Sequence, residues 1–426
     1  MTGTVVGFAG MTHLGINSAA AAAARGFAVV GYDADAARVA QLARLEMPVV
    51  EPELDALVTA HRERLHFTSD ARDLARCDIV YIAADVPTDD AAKSDLAPIR
   101  ALIERAGAHL SQDAVLVILC QVPPGFTRNL AGIPPARRLY QVETLVFGRA
   151  VERALHPERF IVGCADPTAP LPPRYRQFLE SFGCPILPMR YESAELAKIA
   201  INFCLVASVS VANTLAEVSE AIGADWAEIV PALKLDKRIG PYSYLAPGLG
   251  ISGGNLERDL RTILDIAARQ QTDAGVVAAW LANSARRKEW CWQQLEARVL
   301  ARKPDAVIAV LGLAYKENTS STKNSPGLAL LAHLTGRRVR VHDPVVPPAI
   351  VPFAEGCDDP LACATGAEAL VIATPWPVYR DLRIADLARV MRGRVLIDPY
   401  RLLDGRAAAA AGFEYHALGM PALMPG

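Results

Sequence analysis

Two groups of residues in this sequence have types and spacings that could do chemistry together. The first is Gly10-Met11-Thr12-His13-Leu14-Gly15, directly after the apolar run Val5–Ala9. A dinucleotide-binding turn asks for G-x-G-x-x-G, so that the backbone can approach a pyrophosphate at a helix N-terminus. Here the first and third glycines are present and Thr12 takes the second place. The turn can still form, the approach is less close, and a hydroxyl becomes available to a phosphate. Asp33 closes the next apolar run about 20 residues on, where an acid binds adenosine ribose hydroxyls and disfavours a 2′-phosphate. Strand, loop, helix and acid in that order point to NAD rather than to an ordinary βαβ turn.

The second group is Lys198 and Asn202, four residues apart in a largely apolar stretch. On a helix they share one face, and Asn213 continues the stripe three turns on. A buried, polar-lined cleft is the natural inference. A desolvated amine is shifted towards its neutral form and can take a hydroxyl proton as a hydride leaves; protonated, it stabilises an alkoxide instead. An isolated pair of this kind also reads as a lysine reaching solvent beside a hydrogen-bonded core amide. Further on, Gly250–Asp259 reads GISGGNLERD. Three glycines followed by Asn255 and a charged trio suggest a loop that holds something, leading into a helix for which Asp259 would be an N-terminal charge.

These groups need elements to position them. Apolar, β-branched runs alternate with helical patterns at Val5–Ala9, Ala28–Tyr32, Ile79–Ala83 and Ala114–Leu119, and again at Ala306–Leu311, Arg338–His342, Ala369–Ala373 and Arg394–Ile397. Short strands separated by helices imply parallel sheets with crossovers on both faces, one sheet near each end of the chain. Between them, Glu192 to Gly223 carries no Pro or Gly before its last residue and reads as one helix of about 45 Å. Its apolar part, Ile199–Ala212, is too short to span a bilayer and reads as a buried helix. The fold class is therefore α/β, with two Rossmann-like domains joined by a long helix and a helical middle: 1–190, 191–302 and 303–426.

With 426 residues and 52% hydrophobic content, the chain can bury two or three cores without covalent staples. A net charge of −2 and the absence of basic blocks argue against nucleic acid. The eight cysteines are scattered, with no CxxC pair, which favours free thiols in a reducing cytoplasm over disulfides or a metal site. MTGTVVGFAG has no basic run before an apolar stretch, so no signal peptide and no membrane association are expected.

Along nearly its whole length the chain resembles the UDP-glucose/GDP-mannose dehydrogenase family. The matching motifs are Asp33, Glu51-Pro52-Glu53-Leu54, Val86-Pro87-Thr88-Asp89, Cys120-Gln121-Val122-Pro123-Pro124-Gly125-Phe126-Thr127, Gln141-Val142-Glu143 through Phe147-Gly148, Ala194-Glu195-Leu196-Ala197-Lys198 with Asn202, and Leu311-Gly312-Leu313-Ala314-Tyr315-Lys316 with Thr319. The resemblance implies that Gly10, Thr12, His13, Leu14, Gly15, Asp33, Val86, Thr88, Gln121 and Lys323 hold NAD. It implies that Lys198, Asn202, Asp259 and Glu143 face the reacting carbon, the two carboxylates through an ordered water. Arg238, Gly253, Tyr315, Lys316, Phe147 and Arg401 would meet a UDP- or GDP-linked sugar, with Asp343-Pro344 in the domain that takes its nucleotide end. The helical middle favours a homodimer.

Family members carry G-F-G-G-S-C-F-P-K-D where this chain has GISGGNLERD, and the cysteine there captures an aldehyde as a thioester. Aligned without gaps, that cysteine falls on Asn255, and an amide nitrogen is not a usable nucleophile. Other departures gather around substrate: Gln121 for Thr, Phe147 for an acid, Lys323-Asn324-Ser325-Pro326 for R-E-S-P, and Pro399-Tyr400-Arg401 for a late G-R. Cys120 and Cys204 are the thiols that could replace the missing one, although Cys204 lies two residues from Asn202 and so on a different helix face. The expectation is an enzyme making one hydride transfer at a time, either oxidising an alcohol to a carbonyl or acting as an epimerase. Alternatives are a four-electron dehydrogenase with a rearranged nucleophile and a non-catalytic sugar-nucleotide binder. A 3-hydroxy acid dehydrogenase of the wider superfamily is disfavoured by the second nucleotide domain.

Overall fold

The computed structural model describes residues 3–89 and 93–426. Two compact units appear, Met1–Ile201 and Asn202–Gly426. The sequence suggests breaks after 190 and 302; compactness breaks the chain once, within the long helix.

The first unit is built on an eight-stranded sheet of β1 (Val5–Ala9), β2 (Ala28–Tyr32), β3 (Leu65–Thr68), β4 (Ile79–Ile82), β5 (Val115–Ile118), β6 (Arg138–Gln141), β7 (Phe160–Cys164) and β8 (Ile186–Arg190). Their order is β3-β2-β1-β4-β5-β6-β7-β8, parallel except where β6 meets β7. Strand residues alternate between two cores, with Phe8, Tyr81 and Val117 on one face and Val80, Ile82 and Ile118 on the other. Burial on both faces is why these strands read as continuous apolar runs rather than as alternating ones.

The second unit carries six parallel strands, β9 (Val307–Leu311), β10 (Arg338–His342), β11 (Glu355–Gly356), β12 (Ala369–Ile372), β13 (Val395–Ile397) and β14 (Glu414–His416), ordered β11-β10-β9-β12-β13-β14. Renumbered from its own first strand, this order is 3-2-1-4-5-6, the same as in the first six strands of the other sheet. It is the doubly wound dinucleotide arrangement, whose ligand crevice lies where the strand order reverses.

The long helix runs unbroken from Tyr191 to Ile222 and stops at Gly223, which adopts φ +86°, the left-handed cap that glycine takes without strain. The expectation of a buried helix needs correction. Ala194, Ile199, Val206, Ala212 and Ala216 are buried, but Val211, Leu215, Val218 and Ile222 are exposed, Ile222 by 72%. The helix is also long and apolar enough, by length and composition, to cross a membrane. An apolar count along the sequence cannot separate a helix buried all round from one with a single packed face.

Candidate active site and cofactor loop

In the first unit, β1 and β4 flank the point where strand order reverses, and the segments after them pack together. Gly10 follows β1 with φ +98°, and a Cβ there would stand 2.6 Å from that of Ala84, just past β4. A Cβ on Gly15 would stand 1.9 Å from the Gly10 carbonyl. Both glycines are therefore demanded by close approach, and the turn with the helix His13–Ala24 behind it forms a cradle that fits a pyrophosphate. Thr12 Oγ accepts the Asp85 N–H at 2.9 Å, which leaves its own proton to donate. Asp33 accepts the Met11 N–H at 2.8 Å, the Asp35 N–H at 3.0 Å and Arg38 Nη1 at 2.9 Å. Asp33 thus closes the loop as well as facing it, and Arg38, which sequence reading missed, joins it through its i+5 spacing. Val86 packs against the core after β4, Thr88 pairs with Ser94 across an isolated bridge, and Gln121 follows β5, where the Cys120 N–H bonds the Ile82 carbonyl at 3.1 Å.

Leu14 lies in the core with 5% exposure. Phe147, expected beside the sugar, stacks on His13 of the cofactor loop with ring centroids 4.1 Å apart. His13 in turn meets Glu51, Nε2 to Oε2 at 2.9 Å, and Glu51 also accepts the backbone N–H groups of Gly148 at 3.0 Å and Ala150 at 2.7 Å. A carboxylate only accepts, so Nε2 of His13 carries the proton. The Glu-to-Phe departure thus completes an aromatic pair under the glycine loop.

The start of the long helix is clamped to the loop after β5. Glu195, fully buried, accepts the N–H groups of Gly125 at 2.5 Å and Thr127 at 2.8 Å, and Arg128 pairs with Glu192. Burial raises the pKa of Glu195 against the opposing pull of the Thr127 and Gly125 hydrogen bonds. One turn on, Lys198 Nζ lies 3.1 Å from Glu143 Oε2, and the two side chains are only 12% and 15% exposed. The amine is held against a carboxylate, an arrangement for moving a proton between substrate and side chain.

In the second unit, Asn202 Nδ2 donates to Asp259 Oδ2 at 2.5 Å, and Asp259 is 2% exposed, with Arg258 Nε 3.6 Å from its other oxygen. Asn213 is also buried and accepts the Gly248 N–H at 2.8 Å. The helix Asn255–Gln270 begins on Asn255, which is exposed. Glu257 is the acid of its first turn; Asp259 lies a turn deeper and bonds Asn202 instead of capping the helix. Gly253, at φ +73°, leaves room for the Tyr315 ring, 3.0 Å from where its Cβ would be, and its N–H donates to the Lys323 carbonyl at 3.1 Å. Gly253, Tyr315 and Lys323 are therefore together, with Lys323 against the glycine loop of this unit. Lys316 Nζ stands 5.8 Å from the Tyr315 ring centre.

Arg238 carries an exposed guanidinium that pairs with Asp236 at 2.6 Å. Arg401, at φ +54°, holds Asp225 through two bonds of 2.7 and 3.0 Å and the Leu418 carbonyl at 3.1 Å. This contact holds the Asp225 carboxylate below its usual range. Arg401 also lines a cavity of about 590 Å³ with Trp226, Tyr242, Tyr244 and Tyr400. The second sheet repeats the first in miniature. Gly312 follows β9 at φ +106°, and Asp343, after β10, accepts the N–H groups of Leu313 at 2.7 Å and Ala314 at 3.0 Å, as Asp33 accepts Met11.

Of the two candidate thiols, Cys120 is buried in the first unit and Cys204 is exposed on the long helix. Elsewhere burial pushes Cys77 up to about 12 and raises Cys291, while Cys363 is raised first by its hydrogen bond with Cys357 and then by burial.

Three sequence profiles of the UDP-glucose/GDP-mannose dehydrogenase family match this chain in order: the NAD binding domain over residues 4–172, the central domain over 192–284 and the UDP binding domain over 309–405. A UDP-glucose 6-dehydrogenase of Pseudomonas aeruginosa is 32% identical over 97% of this chain and 96% of its own length. The Bacillus subtilis UDP-glucose 6-dehydrogenase TuaD is 28% identical over 97% and 93%. Among solved structures, a UDP-glucose dehydrogenase from Pyrobaculum islandicum superposes with a TM-score of 0.83 at 27% identity, covering 95% of this chain and 96% of that one. A UDP-D-ManNAc dehydrogenase from Pyrococcus horikoshii has the same fold, with a TM-score of 0.83 at 24% identity over 98% and 99%. Motifs, sheet order, cofactor cradle and full-length likeness agree, and the chain belongs to the UDP-glucose/GDP-mannose dehydrogenase family of NAD-dependent nucleotide-sugar oxidoreductases.

Proposed function

We propose that this enzyme carries out a single hydride transfer on a UDP- or GDP-linked sugar, without an acyl-enzyme intermediate. The observation that carries the reading is the combination at two places in the chain. Lys198 with Glu143 and Asn202 with Asp259 keep the paired groups of an oxidation site, while position 255 offers an exposed amide. Bound NAD supplies the acceptor for the hydride. Lys198, held by Glu143, takes up or stabilises the charge left on the sugar oxygen as its C–H bond breaks. Asn202, one turn on from Lys198 along the helix and fixed by Asp259, is a further hydrogen-bonding group for the sugar, and Asn255 can bond a sugar oxygen but cannot carry an acyl group.

The product is then a carbonyl sugar nucleotide, or an epimer if the hydride returns to the opposite face. The cavity beside Tyr244, Tyr400 and Arg401 suits the nucleotide end, with aromatic walls for a base and cations for a diphosphate. The exposed face at Val211, Leu215, Val218 and Ile222 supports a homodimer, since a contiguous apolar stripe on a helix favours a covering surface.

The test is incubation of purified protein with a panel of UDP- and GDP-sugars in deuterated water, following NADH by absorbance and product by NMR. Deuterium next to a new carbonyl, or inversion without net NADH, supports the proposal. A uronic acid formed with two NADH per sugar overturns it. Absence of any hydride exchange with every sugar nucleotide favours the binder reading instead.

A further inference from the structure

The loop Gly250–Gly254 is tied from several sides. The Ile251 N–H donates to Ser284 Oγ at 2.8 Å, and Gly250 leaves no room for a Cβ against the Ser284 carbonyl, 2.5 Å away. A further tie is Asn324. Its Nδ2 donates to the Ile251 carbonyl at 3.0 Å and to Glu257 Oε2 at 2.8 Å, and its Oδ1 accepts from Lys288 Nζ at 2.5 Å. The partners fix which way the amide points, because an ammonium only donates and a carboxylate or carbonyl only accepts. Asn324 sits at φ +54°, a region Asn tolerates better than most side chains. Lys288 is partly withdrawn from water, and burial lowers its pKa against the pull of Glu257. Glu257 also faces Arg261 at 3.8 Å.

The R-E-S-P motif that this stretch resembles has Glu where Asn324 stands. A carboxylate there has no proton to give either to the Ile251 carbonyl or to Glu257, and it would set two anions side by side. Only an amide can accept from the cation and donate to the anion and the loop at once. Asn255 and Asn324 are thus two departures acting on one short loop: the first removes the nucleophile, and the second fastens the segment that carried it.

We propose that Asn324, gripped between Lys288 and Glu257, is a positioning residue that fixes where Gly253 and Asn255 stand towards the sugar nucleotide. The inference rests on the reading of this loop as substrate-facing given above, but its first test needs no ligand. Asn324→Asp keeps size and the acceptor for Lys288 while withdrawing both donations. Hydrogen exchange at 248–258 should rise roughly tenfold or more, the equivalent of losing about one net hydrogen bond, with exchange at 4–15 unchanged. UDP-glucose affinity should fall roughly tenfold while NAD affinity stays the same.

A pH series separates positioning from general loosening. As pH is lowered the Asn324→Asp defect should shrink, since the introduced carboxyl regains one donor once it is protonated. Wild-type protein should show no such recovery. Lys288→Met, which spares both donations, is a milder second variant expected to show a smaller change of the same kind. Unchanged exchange at 248–258 in both variants overturns the proposal, as does faster exchange with unaltered UDP-glucose affinity. Failure of the wild-type protein to bind any sugar nucleotide counts against the function proposed above, whereas the exchange result still decides the positioning role.

Discussion

Asn202 gives its amide proton to Asp259 at 2.5 Å in a setting where Asp259 is almost entirely out of water. A buried carboxylate depends on such donors, and removing one leaves it undercompensated by about 1–3 kcal/mol. Asn202→Asp should be worse than Asn202→Ala at neutral pH, because it places two carboxylates where one is already costly. Thermal melts should show the Asp variant recovering relative to the Ala variant as pH is lowered and the added carboxyl is neutralised. Equal melting of the two variants at every pH would mean that the contact is not made in solution.

Lys198 and Glu143 form the other pair, and their loss should appear in chemistry rather than in cofactor binding. Lys198→Met should slow single-turnover NADH formation by roughly a hundredfold or more, the usual range for losing a positioned proton-transfer group. NAD affinity, measured by calorimetry, should be unchanged.

Glu195 offers a pH test with a definite sign. Its pKa is raised in the folded state, first by burial. The stability it contributes is therefore fully present below the ordinary glutamate pKa of 4.5 and is lost as pH rises through the folded value. Glu195→Gln should remove that slope and cost about 1–3 kcal/mol at the acid end, where the wild-type side chain contributes most, since its amide NH₂ must face one of the two backbone donors. Urea melts of both proteins across the acidic range would show the stability gap narrowing as pH rises; a constant gap would contradict it.

Asn255→Cys puts a thiol at the first residue of a helix, where the N-terminal dipole lowers a thiol pKa. The introduced cysteine should react with iodoacetamide faster than any native thiol, as mass spectrometry would record. With an aldehyde sugar nucleotide and NAD it should yield some acid, with one NADH formed per acid. Rapid alkylation without acid would mean that the loop holds position 255 away from the reacting carbon.

Much of the fold is legible in the sequence because its signals are local. The absence of Gly and Pro from Tyr191 to Ile222 and the apolar runs of the two inner sheets need no long-range information. Strands such as β3 (LHFT), β6 (RLYQ) and β14 (EYH) are not legible, because polar residues occupy them and only pairing with a neighbour makes them strands. The candidate site divides in the same way. Lys198, Asn202 and Asp259 are visible by type and spacing, and the structure gives each a partner. Glu195, Glu51 and Asn324 act on backbone 68 to 99 residues away, and no spacing announces that. Position in a motif assigns Phe147 to the sugar, but its ring meets His13, a contact set by packing alone. Arg238 carries a motif's expectation to an exposed turn, where Asp236 occupies it.

The grip of Glu195 on Gly125 and Thr127 also bears on how the protein is made. During synthesis, the segment after β5 leaves the ribosome some seventy residues before the side chain that fastens it. Until then its two backbone donors have only water or a chaperone to satisfy them. That loop of the nascent first unit therefore stays unfastened until the chain reaches the start of the long helix. A ribosome stalled before residue 195 should expose a segment that proteases cut, and one stalled well past it should not.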